Sequence, residues 1–180
     1  IYYINEMKFG VPLDKVAHWG FENNLQFASR RGYIWSRTFP LLKDTLIVGH
    51  GADTFPIFFP QSDYAGKYTA GYRKDIYIDK PHNMYLGAAV GTGGISLLAL
   101  LALYGMYLAQ SFRLYRKKER SDTFLYFAGS GIFLGITGFL VAGLVNDSTV
   151  SVMPLFYTLL GTGIAVNRLH RATEGAAAKK

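Results

Sequence analysis

The chain contains no cysteine. That excludes a disulfide framework and any Cys-based zinc site. It has no Asp-x-Asp pair and no His/carboxylate cluster at metal-ligand spacing. It does not open on Met and shows no secretory signal pattern. It therefore reads as an excerpt of a longer protein, with earlier segments missing. Charge is absent from three long stretches, residues 84–109, 123–145 and 149–166. A run of about 20 apolar residues is long enough to cross a bilayer.

What is present divides into two halves. Residues 1–83 hold 10 Lys/Arg and 8 Asp/Glu, whereas residues 84–180 hold 9 and 4, nearly all outside the apolar runs. The first half reads as an extramembrane segment and the second as a membrane domain. The fold class expected is an all-α membrane protein. It has three transmembrane helices, at about 84–111, 123–145 and 149–166, preceded by a mostly helical segment 1–83. The third run is near the lower limit for a span. Glycines are frequent in all three, and small residues let membrane helices approach closely. Gly131 and Gly135 form a GxxxG match, expected to be a generic packing face.

The connector after the first run carries Arg113, Arg116, Lys117, Lys118 and Arg120, and the tail carries Arg168, Arg171, Lys179 and Lys180. The connector after the second run is Asn146-Asp147-Ser148, without positive charge. By the positive-inside rule the basic connector and the C-terminus are cytoplasmic. Residues 1–83 and the Asn-Asp-Ser turn are then extracytoplasmic. The formal charge of +7 has a sufficient topological explanation, so no nucleic-acid partner is expected.

Within residues 1–83, Ile1-Tyr2-Tyr3-Ile4 and Gly10-Val11-Pro12 give mixed signals, and Asp14 is a candidate N-cap for a short helix. Residues 31–46 show a roughly helical apolar pattern that Pro40 should kink or split. Gly49-His50-Gly51 marks a turn. Tyr64, Tyr68 and Tyr72 recur every four residues, as on a helix face or interface belt. His50 reads as structural, and His18 and His170 lack supporting context.

His82-Asn83 directly precedes the first apolar run. Pro81 disfavours helix at Lys80, so His82 lies where the extramembrane segment meets a membrane helix. An imidazole there could take a proton in chemistry carried on a lipid. The alternative is that it only caps the helix.

Three segments, in order, carry a resemblance. They are Ser29-Arg30-Arg31-Gly32-Tyr33-Ile34-Trp35, then Leu41-Leu42-Lys43-Asp44 through Gly49-His50-Gly51 to Phe55, then His82-Asn83-Met84-Tyr85-Leu86 with Val90-Gly91-Thr92-Gly93. Together they resemble the O-antigen ligase/polymerase family of bacterial membrane glycosyltransferases over roughly residues 29–112. Arg30 stands where that family usually has Gly, which leaves the register of Arg30 against Arg31 open. Gly87 stands where Gln is common, and Ser96 where Gly is frequent.

The resemblance implies a GT-C-type enzyme of the bacterial cytoplasmic (inner) membrane, multi-pass, of which this chain would be the C-terminal portion, an excerpt of a larger polytopic protein with its N-terminal spans missing. It would transfer or polymerise polyprenyl-pyrophosphate-linked glycan units onto a glycan or lipid-linked acceptor, without metal or cofactor. Arg31 would meet the pyrophosphate, since Arg forms bidentate phosphate contacts. His82 would activate the acceptor hydroxyl, with Asp79 as rival base or orienting partner. Arg30, Arg37, Lys80 and Asn83 are further substrate-binding candidates. Readings from other classes are a non-enzymatic transporter or scaffold component and an inactive fragment. Transporters place charged groups within their spans, and the apolar runs here carry none.

Overall fold

The computed structural model describes residues 16–73, 75–116 and 122–177. Asp14 and the first residues lie outside them, as do most of the basic connector and the last lysines. The described residues form helices and turns, with no strand among them. The elements are α1 (Phe27–Thr38), a 3₁₀ turn (Phe39–Lys43), α2 (Phe55–Phe58), α3 (Tyr64–Thr69), α4 (Met84–Gly91), α5 (Gly94–Tyr115), α6 (Thr123–Ala142) and α7 (Met153–Ala177). They belong to two compact units, one of Ile1–Leu97 with Val145–Asp147 and the other of Leu98–Leu144 with Ser148–Lys180.

The first unit has a small apolar core of Tyr33, Ile34, Trp35, Phe55, Phe59, Ala70, Ile78 and Val90. Pro40 acts as its type predicts. The α-helix ends at Thr38 and the chain tightens into the 3₁₀ turn, with Pro40 in the first turn where its missing N–H is harmless. A buried ion pair ties α1 to α3: Arg37 Nε donates to Asp63 Oδ2 at 2.9 Å. Asp63 also caps α3 by accepting from Gly66 N. Tyr64 and Tyr68 are exposed, whereas Tyr72 packs on Tyr33 beyond the helix end. Residues 76–81, which lead to His82, are held by side chains. Gln61 brackets Ile78, and Lys67 Nζ donates to the carbonyls of Gln61 and Ile76.

In the second unit α6 packs on α7, and α7 meets α5 through Tyr104 against Phe156 and through a buried Tyr115–Asn167–Ser111 chain. The close approaches use glycines other than the GxxxG pair. A side chain at Gly129 would overlap the Tyr115 hydroxyl, and one at Gly163 would meet the Tyr107 hydroxyl at 2.5 Å. Nothing approaches Gly131 within 4 Å, so the expected packing face is not where the helices come closest.

Two helices, α5 and α6, are long and apolar enough to cross a membrane. The described helices differ from the three expected spans in two ways. The first run is not one helix: it breaks at Thr92 and Gly93, where Gly93 takes φ +98. The third run becomes helical at Met153, and α7 does not join the other two by length and composition. The physical reason is that α7 continues through Asn167, Arg168, His170 and Arg171, while its apolar part ends at Val166.

Candidate functional site

The site residues lie in the first unit. α1 begins abnormally. Ala28, Ser29 and Arg30 have φ of +49, +58 and +72, a left-handed turn of non-glycine residues. Each such residue costs about 1–2 kcal/mol. Local bonds hold the turn: Arg30 N donates to Gln26 O, Tyr33 N to Leu25 O, and the Arg31 side chain to Ala28 O at 2.9 Å. Gly32 permits this folding back, because a Cβ there would meet Asn24 O at 2.5 Å. Arg30 thus occupies a backbone conformation that favours glycine.

The turn sets two guanidinium groups side by side in sequence but in different settings. Arg30 is exposed and lies over the Tyr72 ring, 5.2 Å from its centroid. Arg31 is half-buried, and its Nε is buried without a hydrogen-bond partner. Burial pushes the Tyr72 phenol above its ordinary value, while the charges of Arg30 and Arg31 pull it down. Both cations therefore act on the same ring.

From Arg31 onward α1 is a regular right-handed helix, so Trp35 lies one turn along on the same face. Its buried Nε1 donates to Pro81 O at 2.8 Å. α1 thereby fixes the residue that precedes His82. His82 itself is left-handed, with φ +49. Asn83 is extended and caps α4, its Oδ1 accepting from Tyr85 N and Leu86 N at 3.0 and 2.9 Å. The capping role is thus taken by Asn83, and His82 is released from it. The His82 ring is 43% exposed, and its Nδ1 lies 2.6 Å from Asp147 Oδ2. Asp147 is the residue the sequence reading missed as a partner. Its negative charge and its place in a turn on the same expected side as His82 were the available signals.

The other candidates separate. Arg37 is buried against Asp63, Ser36 and the Tyr33 ring, so its guanidinium serves the fold. Its reading as a substrate cation is corrected on that ground: a buried paired charge has no free face for a ligand. Asn83 is committed through Oδ1 to the helix cap. Lys80 is half-buried and Asp79 exposed, and neither pairs with another described residue. His50 stacks on Phe58 at 3.7 Å. No group of three or more His, Asp or Glu side chains gathers among the described residues.

The arrangement offers a proton acceptor and a cation. With Nδ1–H donating a hydrogen bond to the carboxylate, the lone pair of the neutral ring lies on Nε2. Nε2 makes no hydrogen bond to a described residue. The left-handed dihedrals of His82 and residues 28–30 are of the kind that concentrate at functional sites.

Comparison of the chain with protein-family models, with curated proteins and with solved structures finds no match.

Proposed function

We propose that this chain is part of a membrane-embedded glycosyltransferase that moves a polyprenyl-pyrophosphate-linked glycan onto a hydroxyl acceptor, of the O-antigen ligase/polymerase type. It works at the extracytoplasmic face of a bacterial cytoplasmic membrane, crossed by α5 and α6. The observation that carries this reading is the His82–Asp147 pair. It supplies a polarised imidazole with its Nε2 unoccupied, beside the N-terminus of the helix that leads into the apolar run.

In the reaction the acceptor hydroxyl attacks the anomeric carbon of the donor. Its proton passes to His82 Nε2, and Asp147 stabilises the imidazolium that forms. The bond from the anomeric carbon to the pyrophosphate oxygen breaks, and polyprenyl pyrophosphate leaves. The Arg31 guanidinium meets the charge that collects on that oxygen, with the exposed Arg30 and the half-buried Lys80 as further candidate cations. Arg30 and Tyr72 form a cation-over-ring surface suited to a phosphate edge or a sugar face.

The pairing also supports the topology. The segment before α4 and the turn after α6 meet at His82 and Asp147, as expected when both lie on one side of the membrane. The deciding experiment is transfer from a lipid-linked donor in membranes carrying the protein. His82→Ala should lose transfer while retaining donor binding. Normal transfer by His82→Ala at equal abundance would remove the reading.

A further inference from the structure

Residues 84–109 carry no charge, yet the helix is interrupted at Thr92 and Gly93. A break within an apolar run frees backbone groups that lipid cannot satisfy. Here a second piece of backbone satisfies them. His50 N donates to Val90 O and Gly51 N to Gly91 O, each at 2.9 Å, and Gly94 N donates to Thr45 O at 2.9 Å. Residues 45–51 thus run along the break and bond to both of its ends.

Glycines make this contact possible from both sides. A Cβ on Gly93 would stand 2.5 Å from Ile47 O, and one on Gly49 or Gly94 would overlap the opposing backbone. With its backbone turned toward the break, the segment turns its side chains away. Leu46, Ile47 and Val48 are 69%, 67% and 72% exposed, and no charged residue lies between Asp44 and Asp53. Three consecutive bulky aliphatic side chains in that state are poorly suited to water. Ile95, in the first turn of α5, is likewise 60% exposed.

We propose that residues 45–51 form a re-entrant segment in the outer margin of the hydrocarbon layer, with Leu46, Ile47 and Val48 against lipid acyl chains. The proposal rests on the membrane reading of α5 and is independent of glycosyl transfer. It moves the membrane boundary: part of the segment before residue 84 lies within the bilayer.

The cysteine-free sequence allows a direct test. Ile47→Cys, Leu101→Cys and Ser62→Cys, each alone, are labelled with an environment-sensitive NBD fluorophore and reconstituted into phosphatidylcholine vesicles. The expected result at Ile47 is loss of fluorescence with lipids brominated in the acyl chains and no loss with aqueous iodide. Leu101, on α5, should match it, and Ser62 should show the reverse. Quenching by iodide at Ile47, or by neither agent, with Leu101 quenched by the brominated lipids, overturns the proposal alone. Iodide would place the segment in water, and no quenching would place it under protein. Failure of brominated lipids to quench at Leu101 overturns the membrane reading with it. Leu46→Cys and Val48→Cys give the same readout if the label at Ile47 disturbs folding.

Discussion

His82 Nδ1 and Asp147 Oδ2 stand 2.6 Å apart although the residues are 65 positions apart in the chain. The first apolar run, the basic connector and α6 all lie between them in sequence. The pair gives the imidazole a fixed orientation, and Trp35 and Asn83 fix the backbone on either side of it.

A positioned acid–base group is worth about 10²- to 10⁴-fold in rate. His82→Ala should reduce glycan transfer by a factor in that range, with donor binding retained. Asp147→Asn keeps the shape but loses the charge that stabilises the imidazolium, so transfer should fall there too. Asp79→Asn, at an exposed residue outside the pair, should stay close to wild type. Initial rates with a lipid-linked donor decide this. Near-normal Asp147→Asn with inactive Asp79→Asn would reassign the orienting carboxylate.

Arg31→Ala should lower transfer strongly, and Arg31→Lys should also be impaired. Lysine keeps the charge but lacks the planar fork. Arg31→Lys also loses the donation to Ala28 O that helps hold the left-handed turn. Binding of the donor, measured separately from turnover, should weaken in both variants. Unchanged binding and turnover in Arg31→Ala would dismiss the pyrophosphate contact.

Arg37 should behave differently. Removing one partner of a buried ion pair typically costs about 3–5 kcal/mol. Arg37→Ala leaves Asp63 buried without its guanidinium and should lower the unfolding midpoint in detergent. Residual folded protein should keep its donor affinity. A fully stable Arg37→Ala that has lost donor binding would return Arg37 to the substrate site.

Lys67 gives a pH dependence. Burial lowers its pKa from 10.5, with Asp63 acting in the opposite sense. The folded state therefore holds the Lys67 proton less firmly than the unfolded chain does. Between the lowered folded value and 10.5 the unfolded chain binds more protons, so this residue makes stability rise with pH. Below that window the cost of the buried charge is present in full. Lys67→Met should flatten this part of a stability-against-pH curve; an unchanged slope would show that Lys67 does not titrate as its burial implies.

Single cysteines at Ser62 and Ser148 should react with a membrane-impermeant thiol reagent added outside intact spheroplasts, and one at Ser121 should not. The contact between His82 and Asp147 requires Ser62 and Ser148 to behave alike if both segments face one compartment. Labelling of Ser121 alone would reverse the orientation and remove the site from the outer face.

The sequence by itself determined the helical class, two of the three long apolar spans it marked, and the split of the helical pattern at Pro40. These follow from local properties: uncharged length, periodicity and a missing N–H. It also marked His82, because Pro81 and the apolar run bracket it. Only the resemblance ranked Arg31 above Arg37; local pattern did not, since both are helical arginines. Only tertiary structure buried Arg37 against Asp63 and left Arg31 Nε without a partner. The break at Thr92 and Gly93 was likewise hidden. Hydropathy averages across glycines, whereas the backbone that bonds to the break comes from residues 45–51, far away in the chain. Asp147 was read only as a negative charge in a turn. Its partner could not be read locally, because the chain must cross two long helices before the carboxylate reaches the imidazole.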